Sequence, residues 1–126
     1  MTTTASSTRA LHDLHRVLEV PPDSGVALGN WRWTVRQRLA GVRDLLVRET
    51  EQADDGWLSA RRAGLLRERN ALLTRVTVLG KAVLEEADVE RVRAALLRLV
   101  ADVEHHLQRL HDLAYDAVEF ELGGSE

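Results

Sequence analysis

The sequence predicts an all-α protein: an up-down-up-down antiparallel four-helix bundle with a short first helix and a long last helix. Three observations carry that reading. From Val92 to Phe120 the seam positions step by four and three without a slip: Val92, Leu96, Leu99, Val103, His106, Leu110, Leu113, Ala117 and Phe120. This is the signature of a helix buried along one face. Two further seams keep the same spacing, Trp31-Val35-Leu39-Val42-Leu46-Glu49-Ala53 and Leu65-Arg69-Leu72-Val76-Leu79-Val83. The breaks between these seams are short, and short connections make consecutive helices antiparallel neighbours.

Helix 1 is expected over Arg9 to Glu19, capped by Ser7 or Thr8, with Leu11, Leu14, His15 and Leu18 as its stripe. Pro21-Pro22 ends it, because proline lacks the N–H and restricts the residue before it. Asp23-Ser24-Gly25 continues as loop, and Gly29-Asn30 reads as a second start signal, so helix 2 is expected from Trp31 to about Ala53. Asp54-Asp55-Gly56 is a turn signal. Helix 3 is expected from Trp57 to Glu85; Gly80 inside it costs about 1 kcal/mol relative to Ala, which suggests close packing there. Asp88 is a good N-cap for helix 4, which runs to about Glu121 and stops at Gly123-Gly124. Residues 1–8 read as a disordered tail, 9–122 as one helical domain and 123–126 as a second tail.

Helix 1 then covers on the order of 16 Å and helix 4 about 50 Å. A short helix 1 leaves part of the groove open, as a homodimer interface or the mouth of a pocket.

Composition bounds the function. The 126 residues, 44% hydrophobic and 29% charged, suit one domain with a real core. No run of 18 apolar residues is present, so no membrane span is expected. The first eight residues lack the basic and apolar regions of a secretory signal, and a cytoplasmic location is expected. The chain has no Cys, which excludes thiolate metal sites and disulfides. Net charge is −3 with acids and bases read as interspersed, which argues against nucleic acid as a partner. Lys81 is the only lysine among 17 basic residues, a bias that fits a GC-rich genome before it fits phosphate recognition.

The chemistry-bearing residues gather in one expected layer. Counting 18 residues from Trp31 gives Glu49, and 18 from Asp88 gives His106, so both stand roughly 27 Å up the bundle. The same count back from Glu85 gives Arg67, with Arg69 and Asn70 within a turn. Glu49, Arg69 or Asn70, and His106 therefore share a level, and His15 joins them if helix 1 slides along its 11-residue loop. Buried polar groups need partners. One reading is a metal site, because inward-pointing His and Glu are how helical bundles hold iron or manganese. The other is a satisfied core network in which His106 bonds Glu49 and an arginine neutralises the carboxylate.

Other candidates are weaker. His105 points about 100° from His106 and reads as solvated, and His12 falls on the polar side. His111 lies roughly 140° round from His106 and reads as a boundary residue, with metal ligation as the alternative. Trp31 and Trp33 cannot both face one groove, so one is core and the other packs under the 20–30 loop or marks a partner surface. Trp57 is expected to cap the far end, and Tyr115 to be structural. No Ser/His/Asp, phosphate-loop or paired-carboxylate pattern appears at usable spacing.

The stretch His106-Leu-Gln-Arg109, then Asp112-Leu-Ala-Tyr115-Asp116 and Gly123-Gly124-Ser125, resembles an actinobacterial-looking group of hemerythrin-like proteins, the HHE cation-binding family. Glu49-Thr-Glu51 and Leu11-His-Asp-Leu-His15 look similar too. The resemblance implies a four-helix bundle with a carboxylate- and histidine-bound di-iron centre that binds oxygen or handles iron and nitrogen oxides. His15 and His106 match its histidine positions, while Leu46 and Asn70 stand where two more are expected. Too few donors then remain for two irons. The expected function is a non-enzymatic binding or interaction module, metal-free or metal-poor, a homodimer through the flank beside helix 1. The alternative is a metal-binding protein for oxygen, iron or nitric oxide using His15, Glu49, His106 and His111.

Overall fold

The computed structural model describes residues 2–20, 25–48 and 59–124, with side chains placed for 9–20, 25–48 and 61–115. Four helices make it up: α1 (Thr2–Glu19), α2 (Gly25–Arg48), α3 (Ser59–Glu85) and α4 (Val89–Gly124). Each packs on its chain neighbours, and α1 closes the ring against α4.

Side-chain contacts give the directions. Trp31 Nε1 at the start of α2 donates to the Val17 carbonyl at the end of α1, while Gly41 lies beside Ala10. Arg32 reaches the Val83 and Glu86 carbonyls at the end of α3. Arg75 and Glu68 pair with Asp102 and His106 on α4 in descending and ascending order. Every consecutive pair is therefore antiparallel, and the up-down-up-down order holds.

The helix boundaries differ from expectation in instructive ways. α1 begins at Thr2, not Arg9, so it spans about 27 Å. The Ser/Thr-rich start, Thr2-Thr-Thr-Ala-Ser-Ser-Thr8, is neutral in propensity and shows no periodic apolar residue, so pattern alone reads it as tail. α2 begins at Gly25, whose φ of 70° is the left-handed conformation that glycine adopts without strain. Gly29-Asn30 lies inside its first turns. The expected α2 end at Ala53, the Asp54-Asp55-Gly56 turn and Trp57 all lie outside the described residues. Asp88 does cap α4, its Oδ1 accepting from the Arg91 N–H at 3.1 Å.

Among the described residues the core draws on α1 and on parts of all three predicted seams: Leu14, Leu18, Val35, Leu39, Leu46, Leu96 and Leu99 are at or near zero exposure. At one end of the bundle, arginines from the starts of α2 and α4 cap the last turns of α3 and α1. Arg32 donates to Val83 O at 2.8 Å and Glu86 O at 2.7 Å. Arg36 donates to Gly80 O at 3.0 Å. Arg93 donates to Leu18 O at 2.5 Å and Glu19 O at 3.1 Å. The last carbonyls of a helix lack intrahelical partners and carry partial negative charge, so a guanidinium there satisfies both needs.

Among the described residues no helix is long and apolar enough to cross a membrane.

Arg93→Ala is expected to lower stability by about 1–2 kcal/mol, and Arg32→Ala by a similar amount. Their partners are separate, so the double variant should sum the two within about 0.5 kcal/mol in urea denaturation. Gly80 is not crowded as expected: a Cβ there would meet Leu39 Cδ2 at 3.7 Å, ordinary contact. Gly80→Ala should therefore raise the urea midpoint, by about 0.5–1 kcal/mol of stability.

Candidate functional site

His106 is the one buried polar or charged residue among the described side chains, at zero exposure. It occupies the α4 seam between Val103 and Leu110, so the periodicity that buries the leucines buries the imidazole as well. A ring in that position needs a hydrogen-bond partner, and α3 supplies it. His106 Nδ1 lies 2.5 Å from Glu68 Oε1. The other carboxylate oxygen, Glu68 Oε2, lies 2.5 Å from Arg109 Nη2. Arg109 follows His106 by three positions, one turn further along the same side of α4.

Burial pushes the Glu68 carboxyl up, but the hydrogen bonds from Arg109 and His106, with their positive charge, outweigh it. The net result lies below the ordinary value of 4.5. Glu68 is therefore ionised at neutral pH and can only accept, so Nδ1 of His106 is the donor. The carboxylate fixes the tautomer and the plane of the ring. It is 32% exposed itself, so the network runs from a dry imidazole to a solvent-touching guanidinium. Nearer the capped end, Arg75 Nη1 and Asp102 Oδ2 make a second α3–α4 ion pair at 2.7 Å.

The structure relocates most of the expected layer. His15 is not on the apolar stripe: it is half exposed and pairs with Glu19 Oε1 at 3.1 Å, one turn along α1. Leu11, Leu14 and Leu18 face the core, and position 15 falls just past the edge of that stripe. Asn70 is exposed, and its Oδ1 accepts from Arg69 Nη2 at 2.7 Å. That bond holds the end of Arg69 at the surface. Arg69 Nε is buried without a hydrogen-bond partner among the described residues. His105 and His111 are exposed, and so is His12. Glu49 lies outside the described residues.

Trp31 and Arg93 both meet the last turn of α1, so α2 and α4 are offset by about one turn from the register that equal counting assumed. Leu45 and Leu46 on α2, both buried, therefore stand at the level of His106. Glu68 and Arg109 were missed for a related reason. On α3 the step from Leu65 to Leu72 passes through position 68 as well as position 69, and both are compatible with the seam. The usable signal was chemical: of Glu68 and Arg69, only the carboxylate complements an imidazole.

The donors placed among the described residues do not fit a di-iron centre. Among the described residues no group of three or more His, Asp or Glu is placed to hold a metal. Both oxygens of Glu68 face cationic or N–H donors, and buried Leu46 and exposed Asn70 stand where the family resemblance expects imidazoles.

No protein-family model matches the chain, and neither a curated protein nor a solved structure gives a significant match.

Glu68→Gln keeps the shape but removes the charge. It is expected to cost about 1–2 kcal/mol at pH 7. A depressed folded-state pKa means the Glu68 contribution is full above 4.5 and is lost as pH falls through the lower folded value. The gap between wild type and Glu68→Gln should therefore close below pH 4.5 when urea midpoints are compared. His106→Ala leaves a cavity and an imidazole-less carboxylate, and should cost about 2–4 kcal/mol.

Proposed function

We propose that this chain is a non-enzymatic helical-bundle module that works by binding a partner through its outer faces and holds no resident metal. One observation carries the metal-free part of the reading: the carboxylate opposite the buried imidazole is already engaged at both oxygens, by His106 Nδ1 and Arg109 Nη2. A cation would have to displace the guanidinium and repel the charge left behind. The network is built as a core tie between α3 and α4. A buried hydrogen-bonded pair selects one register of two helices where a purely apolar seam would tolerate slippage.

A second reading, an iron protein of hemerythrin-like type, is favoured by one feature. A carboxylate on Nδ1 is also how metal-ligating imidazoles are oriented. Elemental analysis of protein purified from iron-supplemented cells separates the two. The expected result is iron far below one per chain, unchanged in Glu68→Gln. About two irons per chain would overturn the metal-free reading.

A further inference from the structure

We infer that the outer face of α3 pairs two copies of this chain, antiparallel, about a two-fold axis level with Val76. The inference rests on the reading of the chain as a binding module and names the partner as a second copy.

At about 100° per residue, Arg67, Thr74, Val78 and Glu85 fall within roughly 20° of one line along α3. That line lies opposite the buried Leu72, Val76 and Val83, and all four of its residues are exposed, Val78 by 60%. Between Arg67 and Lys81 every exposed position of the helix is uncharged: Asn70, Ala71, Thr74, Thr77 and Val78. The two threonine hydroxyls donate back to their own helix, Thr74 Oγ1 to Asn70 O at 3.1 Å and Thr77 Oγ1 to Leu73 O at 3.2 Å. Covering them therefore strands no donor and leaves their methyl groups for contact.

The line ends in a cation on one side and an anion on the other. Neither the Arg67 nor the Glu85 side chain has a hydrogen-bond or ion-pair partner among the described residues. Beside Glu85 lies an open groove of about 250 Å³, lined by Val78, Lys81, Ala82, Glu85 and Glu86. Val78 and Ala82 suit the methylenes of an arginine, and a carboxylate suits its head. Glu86 Oε1 already accepts from the Asp88 N–H at 3.1 Å, which leaves Glu85 to receive that head.

Symmetry selects the occupant. Positions 67 and 85 are equidistant from 76, and so are 74 and 78. An antiparallel second copy centred there sets Arg67 against the partner's Glu85 at both ends, and Thr74 against the partner's Val78 between them. A parallel copy would set arginine against arginine and glutamate against glutamate. A foreign helix would have to carry the same charges in reverse order, which a second copy does by symmetry. Nucleic acid would meet Glu85 and Glu86 at the groove and leave Val78 in water. In the ring of helices α3 stands diagonal to α1, so the pairing lies across the bundle from the flank beside helix 1 where the sequence alone expects a homodimer. One helix pair over positions 67–85 is a small interface, so the dimer is expected with a Kd of about 1–100 μM.

The test is sedimentation equilibrium of the full chain from about 5 μM to about 1 mM, with circular dichroism to check the fold. A monomer–dimer equilibrium is expected. Arg67→Glu and Glu85→Arg should each weaken it at least about tenfold, because each sets like charges together at both ends. The double swap, Arg67→Glu with Glu85→Arg, should return it to within about threefold of wild type. Within one chain these residues stand about 27 Å apart along α3, so that rescue arises only between chains. Val78→Asp should weaken the dimer at least about tenfold with helicity unchanged, since Val78 lies outside the core. A chain still monomeric at about 1 mM, an assembly larger than a dimer, indifference to Val78→Asp, or a double swap no better than the single changes would each overturn the pairing. A monomer with iron far below one per chain removes the pairing and leaves the metal-free reading standing; a dimer rescued by the swap but holding about two irons per chain does the reverse.

Discussion

A single imidazole buried without exposure sets the terms for the lower half of this bundle. Position 106 belongs to an unbroken apolar seam, so α4 cannot fold against its neighbours without taking His106 out of water. A desolvated ring nitrogen without a partner costs on the order of a hydrogen bond or more. The carboxylate of Glu68 meets that need and in turn requires a counter-charge, which Arg109 supplies from the next turn of α4. Three residues on two helices thus define one relative position of α3 and α4. A slip of one turn along either helix would leave a buried donor facing leucine.

The opposite end is held by a different interaction with the same logic. Helices α1 and α3 finish there, and their last carbonyls would otherwise point at solvent or at each other. Arg93 closes α1 and Arg32 closes α3. Each arginine belongs to the first turns of a helix running the other way, so each bond ties one helix end to its antiparallel neighbour. Antiparallel packing also sets the positive start of one macrodipole beside the negative end of another. The caps and the His106 network lie about 20 Å apart along α4. The caps tie α2 to α3 and α4 to α1, while the His106 network and the Arg75–Asp102 pair tie α3 to α4.

The bundle, its chain order and the burial of position 106 are legible in the periodicity, because apolar spacing at 3.6 residues per turn is a direct image of which face is dry. The Asp88 cap is legible for the same local reason. Register is not. Equal counting from Trp31 and Asp88 assumes that helices start level, whereas the arginine caps offset them by about a turn. That offset places Leu45 and Leu46 where Glu49 was expected. The ambiguity between Glu68 and Arg69 is of another kind: three-or-four spacing admits both, and only the chemistry of the facing residue decides. His15 shows the limit of a stripe read by inclusion, since a residue next to Leu14 is already 100° away from it. The opening residues of α1 show the limit of propensity, because a Ser/Thr run carries no periodic signal whether or not it is helical.

Placing an acid inside has a consequence outside. Helix α3 holds six basic residues and only two acids, Glu68 and Glu85, and the structure turns one of those two toward α4. Its charge is then answered by Arg109, and is not available to offset the bases on the outward side of α3 or on α2. The acids that make the whole chain negative lie mainly elsewhere, seven of them on α4 against four arginines. What composition alone presents as interspersed charge is therefore segregated by helix. The core network adds to that segregation on α3, because the carboxylate that satisfies His106 is one of the two acids on its helix and is already paired with Arg109.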